Sequence, residues 1–126
     1  MAVVLGEPEG ALSNAVLKRT SDLCISAGTL AEALIVAGGR GEEPALQRLL
    51  ASARCEVVAV TEASARRCAE AYARWGKGNH RAKLNLGDCF AYELAMERRA
   101  PLLYVGNDFA QTDVESAIPS PPPSLS

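Results

Sequence analysis

At 126 residues the chain is long enough to bury one core and too short for two. A net charge of −2 and a pI near 5.4 exclude a protein that coats nucleic acid through bulk charge, so any such contact must be local. No apolar run approaches the roughly 20 residues that span a bilayer, no basic amphipathic stretch points to a membrane surface, and no signal-peptide core follows Met1.

Cys24, Cys55, Cys68 and Cys89 show no C-x-x-C spacing, and reduced thiols without a chemical role are the expectation for a soluble, cytoplasmic protein. Taken in order, Met1-Ala-Val-Val-Leu5 followed by Gly6-Glu7-Pro8 reads as one apolar helical turn and a break, with a helix from about Glu9 to Lys18. Leu23 to Ser26 is a short strand, and Ala27 to Ala37 a helix that Gly38-Gly39 stops. Glu42 or Glu43 opens a helix through Ser52, Glu56 to Val60 is the next strand, and Glu62 to Trp75 a helix with alanines and arginines outward. Gly87 to about Arg98 reads as a buried helix, Pro101 as a turn, and Leu102 to Val105 as a strand ending at Gly106. After Ile118, PSPPPSLS has no periodicity and is expected to be a disordered tail. The chain is thus one domain over residues 1–118 with a tail over 119–126. The alternation of strand and helix predicts an α/β fold with a parallel sheet and helices on both faces.

Three acids fall near the carboxyl edge of that sheet, where open α/β sheets place ligands. Glu32 lies about a turn into the helix after the Leu23 strand, Asp88 in the first turn of the Gly87 helix, and Asp108 just past the Leu102 strand. Gathered together they would repel one another unless neutralised by a cation or partly protonated; oxygen ligands without a His or Cys cluster select Mg²⁺ or Mn²⁺. Each acid also has a local reading. Thr29-Leu-Ala-Glu32 matches a capping box as well as it matches a ligand, Asp88 suits the helix dipole, and Asp108 suits a turn. Trp75-Gly-Lys-Gly-Asn-His-Arg-Ala-Lys83 is the locally basic segment: Lys77, Arg81 and Lys83 either hold RNA phosphates or belong to a solvated loop. His80 has no Ser or Cys nucleophile close in sequence and stays outside the catalytic set.

The segments RWGKGNHRAKLNLGDCFAYELA and LLYVGNDFAQTDV, with GDxxA and GNDFxxTD, resemble the PIN-domain ribonucleases, specifically the VapC-type toxins of toxin–antitoxin pairs. The resemblance runs to about Ile118. It implies a three-layer α/β/α sandwich, Mg²⁺-dependent (or Mn²⁺-dependent) endonucleolytic cleavage of RNA, a homodimer, and a cognate antitoxin lying across the early helices. By the same resemblance Glu32, Asp88 and Asp108 carry over as catalytic, metal-binding acids, with Asp113 of the TD pair as a further metal-binding neighbour. The family opens with an apolar strand ending in an acid, whereas Val4-Leu5-Gly6-Glu7-Pro8-Glu9 looks like the segment just after it. The first strand and first Asp are therefore expected to be missing, through a start assigned too late or a truncated gene, which puts activity in doubt. The alternative is a catalytically inactive PIN-like remnant that binds an antitoxin.

Overall fold

The computed structural model describes residues 2–6, 22–104 and 108–117. The helix expected over 9–18, the end of the strand at Val105, Gly106 and Asn107, and the Pro/Ser tail all lie outside the described residues.

Four parallel strands form one sheet in the order β3-β2-β1-β4: β1 (Val3–Leu5), β2 (Leu23–Ser26), β3 (Glu56–Val58) and β4 (Leu102–Leu103). The helices of the described residues are α1 (Ala27–Gly39), α2 (Glu43–Ser52), α3 (Glu62–Trp75) and α4 (Leu86–Arg98), with a 3₁₀ turn over Phe109–Gln111. Residues alternate across the sheet as strand pleating requires. Val4, Cys24 and Leu102 face the core made with α3 and α4, where Cys68, Ala71, Trp75, Ala91 and Leu94 pack. Val3, Leu5, Leu23, Ile25 and Leu103 face the opposite side, where Leu30, Leu49 and Leu50 of α1 and α2 close over them. This is the expected three-layer sandwich.

The opening of the chain corrects one expectation. Val3-Val4-Leu5 is a strand, not a turn of helix, and it takes an inner place in the sheet between β2 and β4. Adjacent β-branched valines favour extended backbone, and both sides of the strand find partners: Val3 N–H donates to Asp22 O (2.8 Å), Val4 N–H to Pro101 O (3.0 Å) and Gly6 N–H to Leu103 O (2.9 Å). An isolated helical turn would leave those groups without a ladder.

The other boundaries shift by a few residues for local reasons. α1 runs through Gly38 and Gly39, where nothing crowds the backbone, and the chain turns at Gly41, whose φ of +69° glycine takes without strain. β3 is shorter than expected because it is an edge strand paired only with β2, and Val57 stays half exposed. The outer edge of β4 is covered instead: Leu102 N–H donates to Glu115 O and Ala117 N–H to Leu102 O.

Since Leu5 is fully buried in the central strand, Leu5→Ala should destabilise the fold by about 2–5 kcal/mol in urea unfolding; a cost within ~0.5 kcal/mol would mean that β1 is peripheral.

Candidate metal centre

Glu32 and Asp88 meet at the carboxyl ends of the strands. Ser26, the last residue of β2, caps α1 by accepting from Gly28 N–H (3.2 Å), so Thr29 and Glu32 do not form the capping box that their spacing also allowed. Glu32 is left to reach across to α4, where its Oε2 accepts the Gly87 N–H at 2.6 Å. Three residues earlier on the same face of α1, Thr29 Oγ1 donates to Gly87 O at 2.7 Å. The helices approach closely here: a Cβ at Gly28 would overlap the Phe90 ring, and a Cβ at Gly87 would lie 2.6 Å from Glu32 Oε2.

Asp88 has the local role foreseen for it as well as its place at the site. Asn85 caps α4 in a reciprocal box: Asn85 Oδ1 accepts from Asp88 N–H (2.8 Å), and Asp88 Oδ2 from Asn85 N–H (3.0 Å). The carboxylate is thereby buried in the first turn, where the helix N-terminus favours negative charge. Glu32, Asp88, Thr29, Ala33, Asn85, Gly87 and Gly6 line one cavity of about 20 Å³, large enough for a water or a small ion.

The other two acids stand elsewhere. Asp108 is exposed at the start of the 3₁₀ turn and does not line this cavity. Asp113 accepts the Tyr92 hydroxyl at 2.5 Å and lies 3.9 Å from Arg74 Nη1, beside a groove between α3 and α4. Of the three acids expected to converge, Glu32 and Asp88 share this cavity, and among the described residues no group of three His, Cys, Asp or Glu gathers to hold a metal. The donors at the cavity nonetheless fit a hard cation, since Mg²⁺ is commonly bound through one or two carboxylates while keeping several waters, and no His or Cys lines the site.

Lys77, Arg81 and Lys83 are exposed on the loop between α3 and α4. The loop is internally bonded: Lys77 N–H donates to Leu84 O, Leu84 N–H to Trp75 O and Asn79 Nδ2 to Tyr72 O. His80 belongs to this scaffold, with Nδ1 accepting from Ala82 N–H and its ring edge-on to Trp75.

A larger cavity, about 440 Å³, lies between the start of α3 and the end of α4, away from Glu32 and Asp88. Charges on its wall pair with one another or nearby: Arg67 with Glu93 (2.8 Å) and Arg98 with Glu56 (3.2 Å). Burial raises the Glu93 carboxyl above its ordinary value, against the lowering influence of Arg67. Burial likewise pushes the Cys55 and Cys89 thiols up to about 12 and Cys68 up to about 11, so at neutral pH they stay protonated, consistent with cysteines that carry no chemistry.

Two outcomes follow from these environments. Gly87→Ala, which in an ordinary helix gains up to about 1 kcal/mol, should here cost about 1–3 kcal/mol in denaturant unfolding because the methyl displaces Glu32. Glu93 has a raised folded pKa, so its contribution is most favourable below its unfolded value of about 4.5 and is lost as pH rises through the folded value. Melting temperatures taken from about pH 4 to about pH 7 should fall with rising pH through a component that Glu93→Gln lacks; parallel curves would contradict the assignment.

The PIN domain family profile matches residues 1–115. Ribonuclease VapC36 of Mycobacterium tuberculosis is 42% identical over 119 residues, covering 91% of this chain and 86% of that protein. Among solved structures, M. tuberculosis VapC20, described as a toxin that cleaves the sarcin–ricin loop, superposes with a TM-score of 0.71 over 94% of this chain and 100% of that one, at 16% identity. A toxin–antitoxin complex from Klebsiella pneumoniae matches with a TM-score of 0.61 at 18% identity, over 90% of this chain and 93% of that one. With its parallel sheet and paired acids, the chain belongs to the PIN-domain family, among the VapC ribonucleases.

Proposed function

We infer that this chain is a Mg²⁺- or Mn²⁺-dependent endoribonuclease, the toxin of a type II toxin–antitoxin pair. The observation that carries the reading is the meeting of Glu32 and Asp88, from two helices, in one ion-sized cavity at the strand ends of a PIN-family domain. These two carboxylates are the residues that would hold the cation; Asp108 and Asp113 stand outside the cavity. When bound, the cation supplies Lewis-acid stabilisation of charge developing on the attacked phosphodiester. The carboxylates act as ligands rather than nucleophiles, and the helix end together with Asn85 holds Asp88 in place.

Lys77, Arg81 and Lys83 would take the phosphates of a single-stranded RNA, supplying affinity without reading sequence. Their loop is held by its own hydrogen bonds, so these cations stand on an ordered platform. Antitoxin binding is supported by the likeness to a chain from a toxin–antitoxin complex, and a homodimer in the cytoplasm is the assembly we propose.

A second reading is favoured by the gathering of only two of the proposed acids: a PIN domain that binds its antitoxin and does not cut. Purified protein incubated with Mg²⁺ or Mn²⁺ and a panel of single-stranded RNAs separates them. In the first reading wild type cleaves, EDTA stops it, and Asp88→Asn and Glu32→Gln each lose about 100-fold or more while remaining folded. No cleavage by wild type that still binds the antitoxin would establish the second.

A further inference from the structure

Thr29 is a buried hydroxyl residue at the cavity for which the proposed chemistry has no use. Its Oγ1 donates to the carbonyl of Gly87, and that carbonyl belongs to the peptide unit whose N–H is the amide of Asp88. The same N–H donates to Asn85 Oδ1, so the peptide that leads into Asp88 is held at both ends, by α1 on one side and the cap on the other. On the preceding peptide, the Gly87 N–H is taken by Glu32. Thr29 and Glu32 thus grip the two peptides flanking a single glycine, and that glycine precedes one acid while it orients the other.

We propose that Thr29 is a positioning residue for the cation site: its hydroxyl fixes the Gly87–Asp88 peptide and thereby the separation and orientation of the Glu32 and Asp88 carboxylates. The inference rests on the reading of those two acids as the cation ligands. A hydrogen bond one step removed from a ligand orients it, and the loss of such a bond typically weakens metal affinity by about 10- to 100-fold. Gly87 lies within α4, so its carbonyl keeps an intrahelical acceptor role when the hydroxyl is gone, and the fold should tolerate the change.

The test is Mn²⁺ affinity by electron paramagnetic resonance, without RNA, alongside metal-free thermal unfolding, for wild type, Thr29→Val, Thr29→Ala and Thr29→Ser. Thr29→Val should bind Mn²⁺ about 10-fold more weakly at a metal-free melting temperature close to wild type, and Thr29→Ser should restore the affinity. Thr29→Ala removes the hydroxyl without demanding space for a second methyl, and decides the matter should Thr29→Val fail to fold. Wild-type affinity in the variants without a hydroxyl overturns the proposal and leaves the two-acid site standing. So does a loss in Thr29→Ser equal to that in Thr29→Val, which would make packing the cause. Absence of Mn²⁺ binding by wild type overturns the two-acid site and this inference together.

Discussion

The hydrogen bond from the Gly87 amide to Glu32 spans 55 residues and joins two helices on which the candidate site depends. The acceptor is a carboxylate and the donor sits at the positive end of a helix, so each compensates the other's desolvation. The contact also dictates composition around it. Glycine at position 87 leaves the carboxylate its place, from which a side chain would displace it, and glycine at 28 lets the Phe90 ring close over α1. Sheet, helix crossing and paired acids are consequently one construction: β2 delivers Ser26, Ser26 caps α1, and the cap directs Glu32 away from its own helix end.

Much of this was legible in the sequence. The bounds of β2, α2 and α3 follow from apolar periodicity and from polar residues such as Ser26 and Thr61 at the helix starts, and the burial of α4 from its run of apolar and small residues. The first-turn place of Asp88 was legible because an acid there suits the helix dipole; its reciprocal box with Asn85 was not read. Glu32 was ambiguous because a capping box depends only on local spacing. What decides it is Ser26, three residues before Thr29, which takes the cap first; a serine directly before a helical run was the available signal.

What was not legible were contacts between distant segments. The apolar run ending at Leu5 is too short for periodicity to separate a turn of helix from a strand, and the conformation of Val3–Leu5 is set by β2 and β4 on either side. The place of Asp113 is of the same kind. Its sequence neighbourhood says turn and acid, but its partner is the Tyr92 hydroxyl on α4, so it ties the segment after the 3₁₀ turn to the helix that carries Asp88. Thr29 drew notice only as half of a capping motif, and its bond to Gly87 needs the helix crossing to exist.

The strand order has a consequence for how the chain acquires its fold. β1 begins at Val3, yet one of its two neighbours is β4 at Leu102–Leu103, far along the sequence, and β4 in turn is covered by residues 115–117. Non-local pairing of this kind slows folding, because loop closure must come before the contacts that reward it. On the ribosome β1 can meet β2 early, but it waits for Leu102 and Leu103 before its second edge is closed. During that interval an apolar strand with unpaired amides is open to other chains, until β4 and residues 115–117 close the sheet.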